Sequence, residues 1–164
     1  GRGSTFSFEI PLKAAKAEEE SSAAREEKAV PLWNGHPYRI LIVDDESTNR
    51  LIAMRMLQQL GVDPAWAESG EEALNQIRTD AFDLVFMDCS MPGMDGFEAT
   101  AAIRQLPGPA SRTPIVALTA HAMRGDRERC LAAGMDEYVA KPFGKRDFER
   151  ILQLLPTLRR SLAA

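Results

Sequence analysis

Two short apolar stretches that stop at carboxylates decide the fold of this chain. Residues 39–45 read Arg-Ile-Leu-Ile-Val-Asp-Asp, and residues 82–88 read Phe-Asp-Leu-Val-Phe-Met-Asp. A short apolar run that ends abruptly at acidic residues indicates a buried parallel strand whose carboxyl end opens into a site. Because ligands bind at that edge of an open α/β sheet, the two stretches predict an acidic pocket formed by Asp44, Asp45 and Asp88.

The predicted pocket has a clear chemical use. Carboxylates held close together repel one another unless a cation lies between them. Mg²⁺ binds hard oxygen ligands, so we expect a Mg²⁺ site here, with Mn²⁺ as the alternative ion. A carboxylate nucleophile beside Mg²⁺ suits phosphoryl transfer that forms an aspartyl phosphate.

Strand and helix patterns alternate from residue 38 onward. Strands are predicted over 39–43, 63–67, 82–87, 114–118 and 136–140, and helices over 47–60, 70–79, 95–106, 121–133 and 145–155. Gly61 and Gly134 stand where a helix-ending glycine is expected. Such alternation implies right-handed crossovers and a parallel sheet with both faces covered. We therefore predict an α/β, flavodoxin-like (βα)5 doubly wound domain with strand order 2-1-3-4-5.

The composition limits the classes of protein that this chain can represent. The chain has 164 residues and a net charge of −4, and its pI near 5.3 argues against a nucleic-acid surface, which needs a basic patch. Cys89 and Cys130 show neither metal-ligand spacing nor a disulfide framework, which favours a reducing, cytoplasmic setting and a packing role for Cys89. No apolar stretch approaches the about 18–20 residues that span a membrane. We expect direct contact with neither nucleic acid nor membrane.

Two later strands also end in polar residues. Thr119 follows the strand at 114–118, and Lys141-Pro142 follows the strand at 136–140. A hydroxyl can donate to a bound phosphoryl group, and an ammonium can neutralise its oxygens. Taken singly, each has an ordinary explanation: the threonine as a cap, the Lys-Pro pair as a loop and the Asp-Asp pair as a helix cap. Their common position at carboxyl strand ends favours one site.

Four motifs follow one another along the chain: Val43-Asp44-Asp45, Met87-Asp88-Cys89-Ser90-Met91-Pro92-Gly93-Met94-Asp95-Gly96, Leu118-Thr119-Ala120 and Tyr138-Val139-Ala140-Lys141-Pro142. Together they closely resemble the receiver domains of two-component response regulators, and the resemblance covers roughly residues 38–155. It implies that Asp88 is the phosphoacceptor. By the same likeness Asp45 binds Mg²⁺ directly, Asp44 helps mostly through water, and the backbone carbonyl of Ser90 completes the protein ligands.

The resemblance also assigns the remaining polar residues of the pocket. Thr119 and Lys141 would bind the phosphoryl oxygens, and the bond before Pro142 would be cis. On phosphorylation the hydroxyl of Thr119 would move inward and the ring of Tyr138 would follow it. Tyr138 can instead be a half-buried strand residue with no switching role.

Two further positions influence the phosphoryl lifetime in receivers, and here they are Ser90 and His121. His121 is equally compatible with a surface histidine at a helix start.

The first residues resemble a different module. Residues 1–12 resemble the closing strand of a histidine-kinase ATP-binding domain, and a cloning tail is the alternative. Residues 13–37 are predicted to be a charged linker and hinge, residues 38–155 the receiver, and residues 156–164 a C-terminal tail. This order implies a hybrid sensor kinase. The fragment would then be a phosphoacceptor module and not an enzyme, and its parent a histidine kinase that can be anchored in the inner membrane.

A hybrid kinase implies two partners, an upstream histidine kinase core and a histidine phosphotransfer domain. On the helix predicted from residue 47, one stripe is expected in the core: Asn49, Ile52, Ala53, Met56, Leu57 and Leu60. Leu51 and Met54 lie off that stripe, and exposed apolar side chains beside a pocket often mark a partner surface. We expect them to contact the phosphotransfer domain, with Met91 and Phe143 at the rim. Scattered surface hydrophobics are the alternative.

Two other functions are compatible with parts of the site. A haloacid-dehalogenase-like phosphohydrolase also forms an aspartyl phosphate, but it places a second aspartate two residues after its nucleophile, where this chain has Glu46 and Ser47 after Asp44 and Asp45. A degenerate receiver would act only as an interaction module. The complete set of acidic residues, threonine and lysine argues against it.

Overall fold

The computed structural model describes residues 32–33, 36–120 and 124–163. Five parallel strands form its main sheet: β1 (Ile40–Val43), β2 (Ala65–Ala67), β3 (Leu84–Asp88), β4 (Ile115–Thr119) and β5 (Glu137–Ala140). Across the sheet they follow the order β2-β1-β3-β4-β5, which confirms the predicted strand order and fold. The predictions for residues 1–12, for most of the linker and for His121 lie outside the described residues.

Each predicted helix is present in the structure, although the last extends beyond its predicted interval. The helices are α1 (Ser47–Gln58), α2 (Gly70–Thr79), α3 (Gly96–Arg104), α4 (Arg124–Ala132) and α5 (Lys145–Ala163). Two short elements were not predicted. A 3-10 helix at Gly108–Arg112 precedes β4, and a two-residue antiparallel pairing joins Leu32–Trp33 to His36–Pro37 within the segment predicted as linker and hinge. Gly61 and Gly134 have φ values of +80° and +94°, as expected for glycines that end helices.

The sheet separates two apolar layers, because successive strand residues point to opposite faces. In β1, Ile40 and Ile42 face the layer formed with α1 and α5, whereas Leu41 and Val43 face the layer formed with α2, α3 and α4. No residue of β1 is more than 1% exposed. Burial on both faces explains why the strands are continuous apolar runs in the sequence.

Helix α1 buries a narrower stripe than its sequence predicts. Ala53, Leu57 and Leu60 are buried, but Ile52 is 42% exposed, so its prediction as a core residue is wrong. An α-helix turns about 100° per residue, and that rotation carries Ile52 away from the side on which Ala53 and Leu57 meet the sheet.

Helix α5 is longer than expected. The helix predicted over 145–155 continues to Ala163, so its predicted end is wrong, and Pro156 lies inside it. Leu155 is fully buried and Arg159 forms an ion pair with Asp83, so packing and charge continue the helix beyond the proline. In the part of the chain that the structure describes, no helix has both the length and the apolar composition required to cross a membrane.

Candidate functional site

Three carboxylates meet at the carboxyl edge of the sheet. Strands β1 and β3 are paired with Val43 opposite Met87, so the residues that follow, Asp44 and Asp88, are neighbours. One ligand oxygen from each of Asp44, Asp45 and Asp88 lies within 4.8 Å of the others. Asp44 and Asp88 are 1% and 5% exposed, whereas Asp45 is exposed. The structure therefore brings together the three acidic residues expected to form the pocket.

Lys141 brings a positive charge into this cluster. Its Nζ donates to Asp44 Oδ2 at 2.8 Å and to Asp88 Oδ2 at 2.7 Å. The lysine follows β5, its backbone N–H donates to the carbonyl of Thr119 at 2.7 Å, and its peptide bond to Pro142 is cis. The ammonium group consequently lies between the first and third carboxylates and holds the ends of three strands together.

Burial and charge have opposite effects on the pKa values of Asp88 and Lys141. Burial raises the pKa of Asp88, and although Lys141 lowers it through a hydrogen bond and its charge, the pKa remains above its usual value. For Lys141, burial lowers the pKa, but the hydrogen bonds and charges of Asp44 and Asp88 outweigh it, so the pKa is raised overall. The lysine therefore stays protonated at neutral pH and offers a fixed positive charge to any anion in the pocket.

The two remaining oxygens of the buried carboxylates also have donors. Asp44 Oδ1 accepts from the backbone N–H of Glu46 at 2.9 Å and from Asn49 Nδ2 at 3.4 Å. Asp88 Oδ1 accepts from the backbone N–H of Ser90 at 3.3 Å. These bonds fix the orientation of both side chains.

Thr119 lies on the strand next to that of the phosphoacceptor candidate, and Tyr138 lies one strand further out. Strand β4 pairs with β3 with Leu118 opposite Asp88, so Thr119 stands one residue beyond that pair, and it is 6% exposed. Tyr138 in β5 is half-buried and packs against the layer of α2, α3 and α4. Their burial agrees with the predicted placement, and their switching role stays a prediction.

Gly96 allows α3 to begin directly against the backbone of Asp88. A Cβ atom at position 96 would lie 2.1 Å from the carbonyl oxygen of Asp88, and the Gly96 N–H donates to the Cys89 carbonyl at 3.4 Å. Asp95 caps the helix, with reciprocal bonds between it and Glu98. The sequence motif contains this glycine, but only the structure reveals the close approach that requires it.

The cysteine beside Asp88 has a packing role. Cys89 Sγ lies 3.9 Å from Cys130 Sγ, and both thiols are buried. Burial, and then the neighbouring Cys130, raise the pKa of Cys89 far above that of a free thiol. A thiol held in this protonated form is a poor nucleophile.

The predicted docking residues are only partly brought together. Leu51 is 54% exposed, and Met54 and Phe143 are half-buried. Met91 is only 7% exposed and packs in the core layer with α2 and α3, so its prediction as a rim contact is wrong. Met91 follows the buried strand β3 and faces the core. The residues around it in the sequence do not indicate this direction.

Trp66 is the surface residue that the sequence did not indicate. It is 42% exposed on the edge strand β2. Together with five residues of α1 it lines a surface groove of about 360 Å³: Ser47, Thr48, Arg50, Leu51 and Met54. The exposure of Trp66 follows from the position of β2 at the edge of the sheet, and that position is known only from the strand order.

The donor set fits a hard divalent cation. Carboxylate oxygens are the ligands of Mg²⁺ in proteins. With all groups ionised, three carboxylates and one ammonium leave a net charge of −2, which a divalent ion neutralises. Asp45, which is exposed, and Asp88 Oδ1, which does not bond to Lys141, are the groups best placed to hold such an ion.

Comparison with known proteins identifies the class of domain. The family described as the response regulator receiver domain matches residues 40–153. The chain belongs to this family, which confirms the resemblance found in its motifs.

The similar proteins include sensor and hybrid kinases. Sensor protein GacS of Pseudomonas syringae is 41% identical over 132 residues, which cover 79% of this chain and 14% of that protein. Hybrid signal transduction histidine kinase G of Dictyostelium discoideum is 41% identical over 116 residues, which cover 70% of this chain and 3% of that protein. The chain thus spans only a small part of the length of these curated relatives.

A solved structure extends the likeness to three dimensions. The receiver domain of the sensor histidine kinase PA1611 of Pseudomonas aeruginosa is 38% identical, with a TM-score of 0.66, and the match covers 77% of this chain and 98% of that domain. That structure has a magnesium ion coordinated in its active-site cleft.

Proposed function

We propose that this chain is the phosphoacceptor module of a hybrid histidine kinase. It accepts a phosphoryl group on Asp88 from a kinase phosphohistidine, with Mg²⁺, and passes the group to a histidine phosphotransfer domain. The observation that carries this proposal is the surrounding of Asp88, a carboxylate at a strand end with an ammonium 2.7 Å from Oδ2 and two further carboxylates within ion-binding distance.

The transfer step requires little covalent chemistry from the protein. A carboxylate oxygen of Asp88 forms a bond to phosphorus while the bond from phosphorus to the imidazole nitrogen breaks, and the electron pair stays on the imidazole. Lys141 remains charged beside the phosphoryl oxygens, and Thr119 donates a hydrogen bond to one of them. A Mg²⁺ ion held by Asp45, by Asp44 through water and by the Ser90 carbonyl would neutralise charge on those oxygens.

The same site accounts for regulation after transfer. The hydroxyl of Thr119 turns toward the phosphoryl group, and the half-buried ring of Tyr138 follows it. Ser90, which is exposed beside the acceptor, and His121 set the rate at which water reaches the acyl phosphate.

The parent protein supplies the remaining steps. Residues 1–12 belong to the end of a kinase ATP-binding domain, residues 13–37 connect it to the receiver, and the receiver acts in the cytoplasm of a parent kinase that can be membrane-anchored. The identity of the relatives as sensor and hybrid kinases supports this arrangement. The module itself is not a kinase, because it acts by carrying the group that the kinase core transfers to it.

The phosphotransfer partner docks on α1 beside the pocket. Leu51 provides the most exposed apolar side chain there, Met54 lines the same groove, and Trp66 adds an aromatic surface to it. The half-buried Phe143, in the segment after β5, adds a further apolar side chain. Exposed apolar residues clustered at one edge of a reactive pocket are typical of a partner surface.

Intact-mass analysis after incubation with acetyl phosphate and Mg²⁺ tests the proposal. The wild-type protein is expected to gain one phosphoryl group that hydroxylamine removes, and the Asp88→Asn variant is expected to gain none. Asp63→Asn, which changes an exposed carboxylate outside the pocket, should be modified like the wild type. Modification of Asp88→Asn to the same extent, or no modification of the wild type, would overturn the assignment.

A further inference from the structure

Arg50, on α1, contacts the backbone of the two consecutive aspartates of the pocket. Its Nη1 donates to the carbonyl oxygen of Asp44 at 2.6 Å and lies 3.4 Å from that of Asp45. The side chain is only 11% exposed although it belongs to the surface helix α1. The guanidinium therefore holds the backbone of both consecutive aspartates from the outside of the sheet.

Two neighbours hold the guanidinium in turn. The Arg50 Cζ atom lies 4.9 Å from the ring centroid of Trp66, a separation at which a cation is attracted to an aromatic face. Its Nη2 lies 3.8 Å from Glu68 Oε1. On the same side, the Asp44 N–H donates to the Ala67 carbonyl at 3.3 Å. The loop that carries the two aspartates is thus fastened to both β2 and α1.

This arrangement suits a cation site in a specific way. Carboxylates that must converge on one ion repel one another, so the backbone that carries them needs an external restraint. Arg50 binds carbonyl oxygens and leaves the carboxylate oxygens of Asp44 and Asp45 available. Its Nη1 faces both carbonyls while its Nη2 faces Glu68, and a lysine has no second nitrogen with which to keep the two contacts apart.

We propose that Arg50 is a positioning residue for the divalent-cation site. It fixes the Asp44–Asp45 backbone so that the two carboxylates converge with Asp88, and Trp66 and Glu68 keep it in place. The inference rests on the proposed function, since it concerns the ion expected to bind there. Its test measures the affinity for the ion alone, so its failure differs from a failure of phosphorylation.

The experiment titrates Mg²⁺ into the free protein by isothermal titration calorimetry. Arg50→Ala is expected to weaken Mg²⁺ binding by about tenfold or more, the range found when groups that orient metal ligands are removed. Arg50→Lys is expected to remain several-fold weaker than the wild type. Loss of a nearby positive charge alone would strengthen cation binding. A decrease therefore reports lost positioning.

Arg55→Ala is the matched control, because it removes the same charge from an exposed position of α1. It should bind Mg²⁺ as the wild type does. Trp66→Leu should weaken binding in the same direction as Arg50→Ala but by less, and it keeps the proposal testable if Arg50→Ala does not fold.

A kinetic readout separates positioning from general loss of structure. In phosphorylation by acetyl phosphate, Arg50→Ala is expected to need about tenfold more Mg²⁺ for half-maximal rate, yet to approach the wild-type rate at saturating Mg²⁺. Mg²⁺ affinity equal to that of the wild type in Arg50→Ala, or equal weakening in Arg55→Ala, would overturn the proposal. If the wild type binds no Mg²⁺ at all, the proposed metal site itself fails.

Discussion

Asp88, the proposed phosphoacceptor, is a buried carboxyl group whose ionisation lowers the stability of the fold. The carboxyl group is 5% exposed, and burial raises its pKa despite the hydrogen bond from Lys141. A raised carboxyl pKa means that the folded protein binds this proton more tightly than the unfolded chain. Wild-type stability should therefore fall as the pH rises from about 4, where a free aspartate ionises, through the folded pKa of Asp88.

The Asp88→Asn variant tests whether the buried charge of Asp88 lowers the stability of the fold. Asparagine keeps the size of the side chain and removes the buried charge, while Lys141 keeps its 2.8 Å bond to Asp44. We expect the variant to be more stable than the wild type by about 1 kcal/mol at pH 7, the scale of one buried polar interaction. The advantage should shrink as the pH is lowered toward 4. Urea denaturation without divalent metal measures both effects.

Asp63→Asn serves as the control, because this exposed carboxylate should show no comparable pH-dependent gain. A less stable Asp88→Asn variant at pH 7 would mean that attraction to Lys141 outweighs the burial of the charge.

At the level of single residues, the sequence predicts the reacting groups better than their supports. Asp44, Asp45, Asp88, Thr119 and Lys141 each follow a recognisable strand, so the parallel sheet alone places them at one edge. The contact of Arg50 with two backbone carbonyls has no such signal, because it depends on the path of the chain between β1 and α1 and on the position of Trp66. The burial of Met91 and the exposure of Ile52 likewise depend on neighbouring elements.

At the level of elements, the turn from β3 into α3 depends on a glycine, Gly96, because a side chain at this position would meet the backbone of Asp88. The Gly96→Ala variant would place a Cβ 2.1 Å from the Asp88 carbonyl oxygen, a distance that forces backbone to move. We expect a loss of stability of about 1–3 kcal/mol, as for other overpacked sites. Because the displaced backbone is that of Asp88, phosphorylation by acetyl phosphate should also slow. Urea denaturation and intact-mass time courses measure the two effects.

Gly144→Ala is the matched control for this change. A Cβ at position 144 would meet only Asp147 Oδ2, at 3.8 Å, and this glycine has no left-handed backbone conformation. Its stability and phosphorylation should stay close to those of the wild type. If Gly96→Ala is equally well tolerated, the close approach of α3 to Asp88 is required for neither stability nor phosphorylation.

Helix boundaries show where sequence patterns lose their predictive value. The predicted end of α5 at residue 155 lies just before Pro156, because proline disfavours a helix interior, yet the helix continues to Ala163, where Leu155 is buried and Arg159 reaches Asp83. The 3-10 helix at Gly108–Arg112 lies in a segment rich in glycine and proline, where composition predicts only a turn. Both features follow from contacts between distant segments.

At the level of the whole molecule, the proposed partner surface on α1 begins next to the acidic pocket, because α1 follows Asp44 and Asp45 directly. Replacing Leu51 and Met54 together by serine should slow phosphoryl transfer to a phosphotransfer domain by about tenfold or more, since buried apolar contacts at an interface centre carry most of the binding energy. Phosphorylation of Asp88 by acetyl phosphate should be unchanged. Rapid-quench transfer assays and intact-mass analysis provide the two measurements.

Leu131→Ser is the control for apolar loss elsewhere, because Leu131 is 38% exposed on α4. It should leave transfer unaffected. Unchanged transfer in the double serine variant would exclude α1 as the docking surface.

The overall architecture was the most predictable feature. Five short strands that alternate with helices permit few chain paths, since crossovers between parallel strands are right-handed. The strand order 2-1-3-4-5 and the acidic edge follow from that restriction. The extent of each surface patch does not, because exposure of Trp66 or Leu51 is decided by which strand and helix remain uncovered.

The ion pair between Arg159 and Asp83 has a consequence for how the module can be carried by a larger protein. Arg39, just before β1, bonds to Asp83 through its backbone N–H at 2.8 Å, so the entry of the chain and the late turns of α5 share one corner of the molecule. That corner lies at the amino edge of the sheet, behind the pocket. A receiver that is joined to another module at this corner would present Asp88 at the opposite end of its sheet.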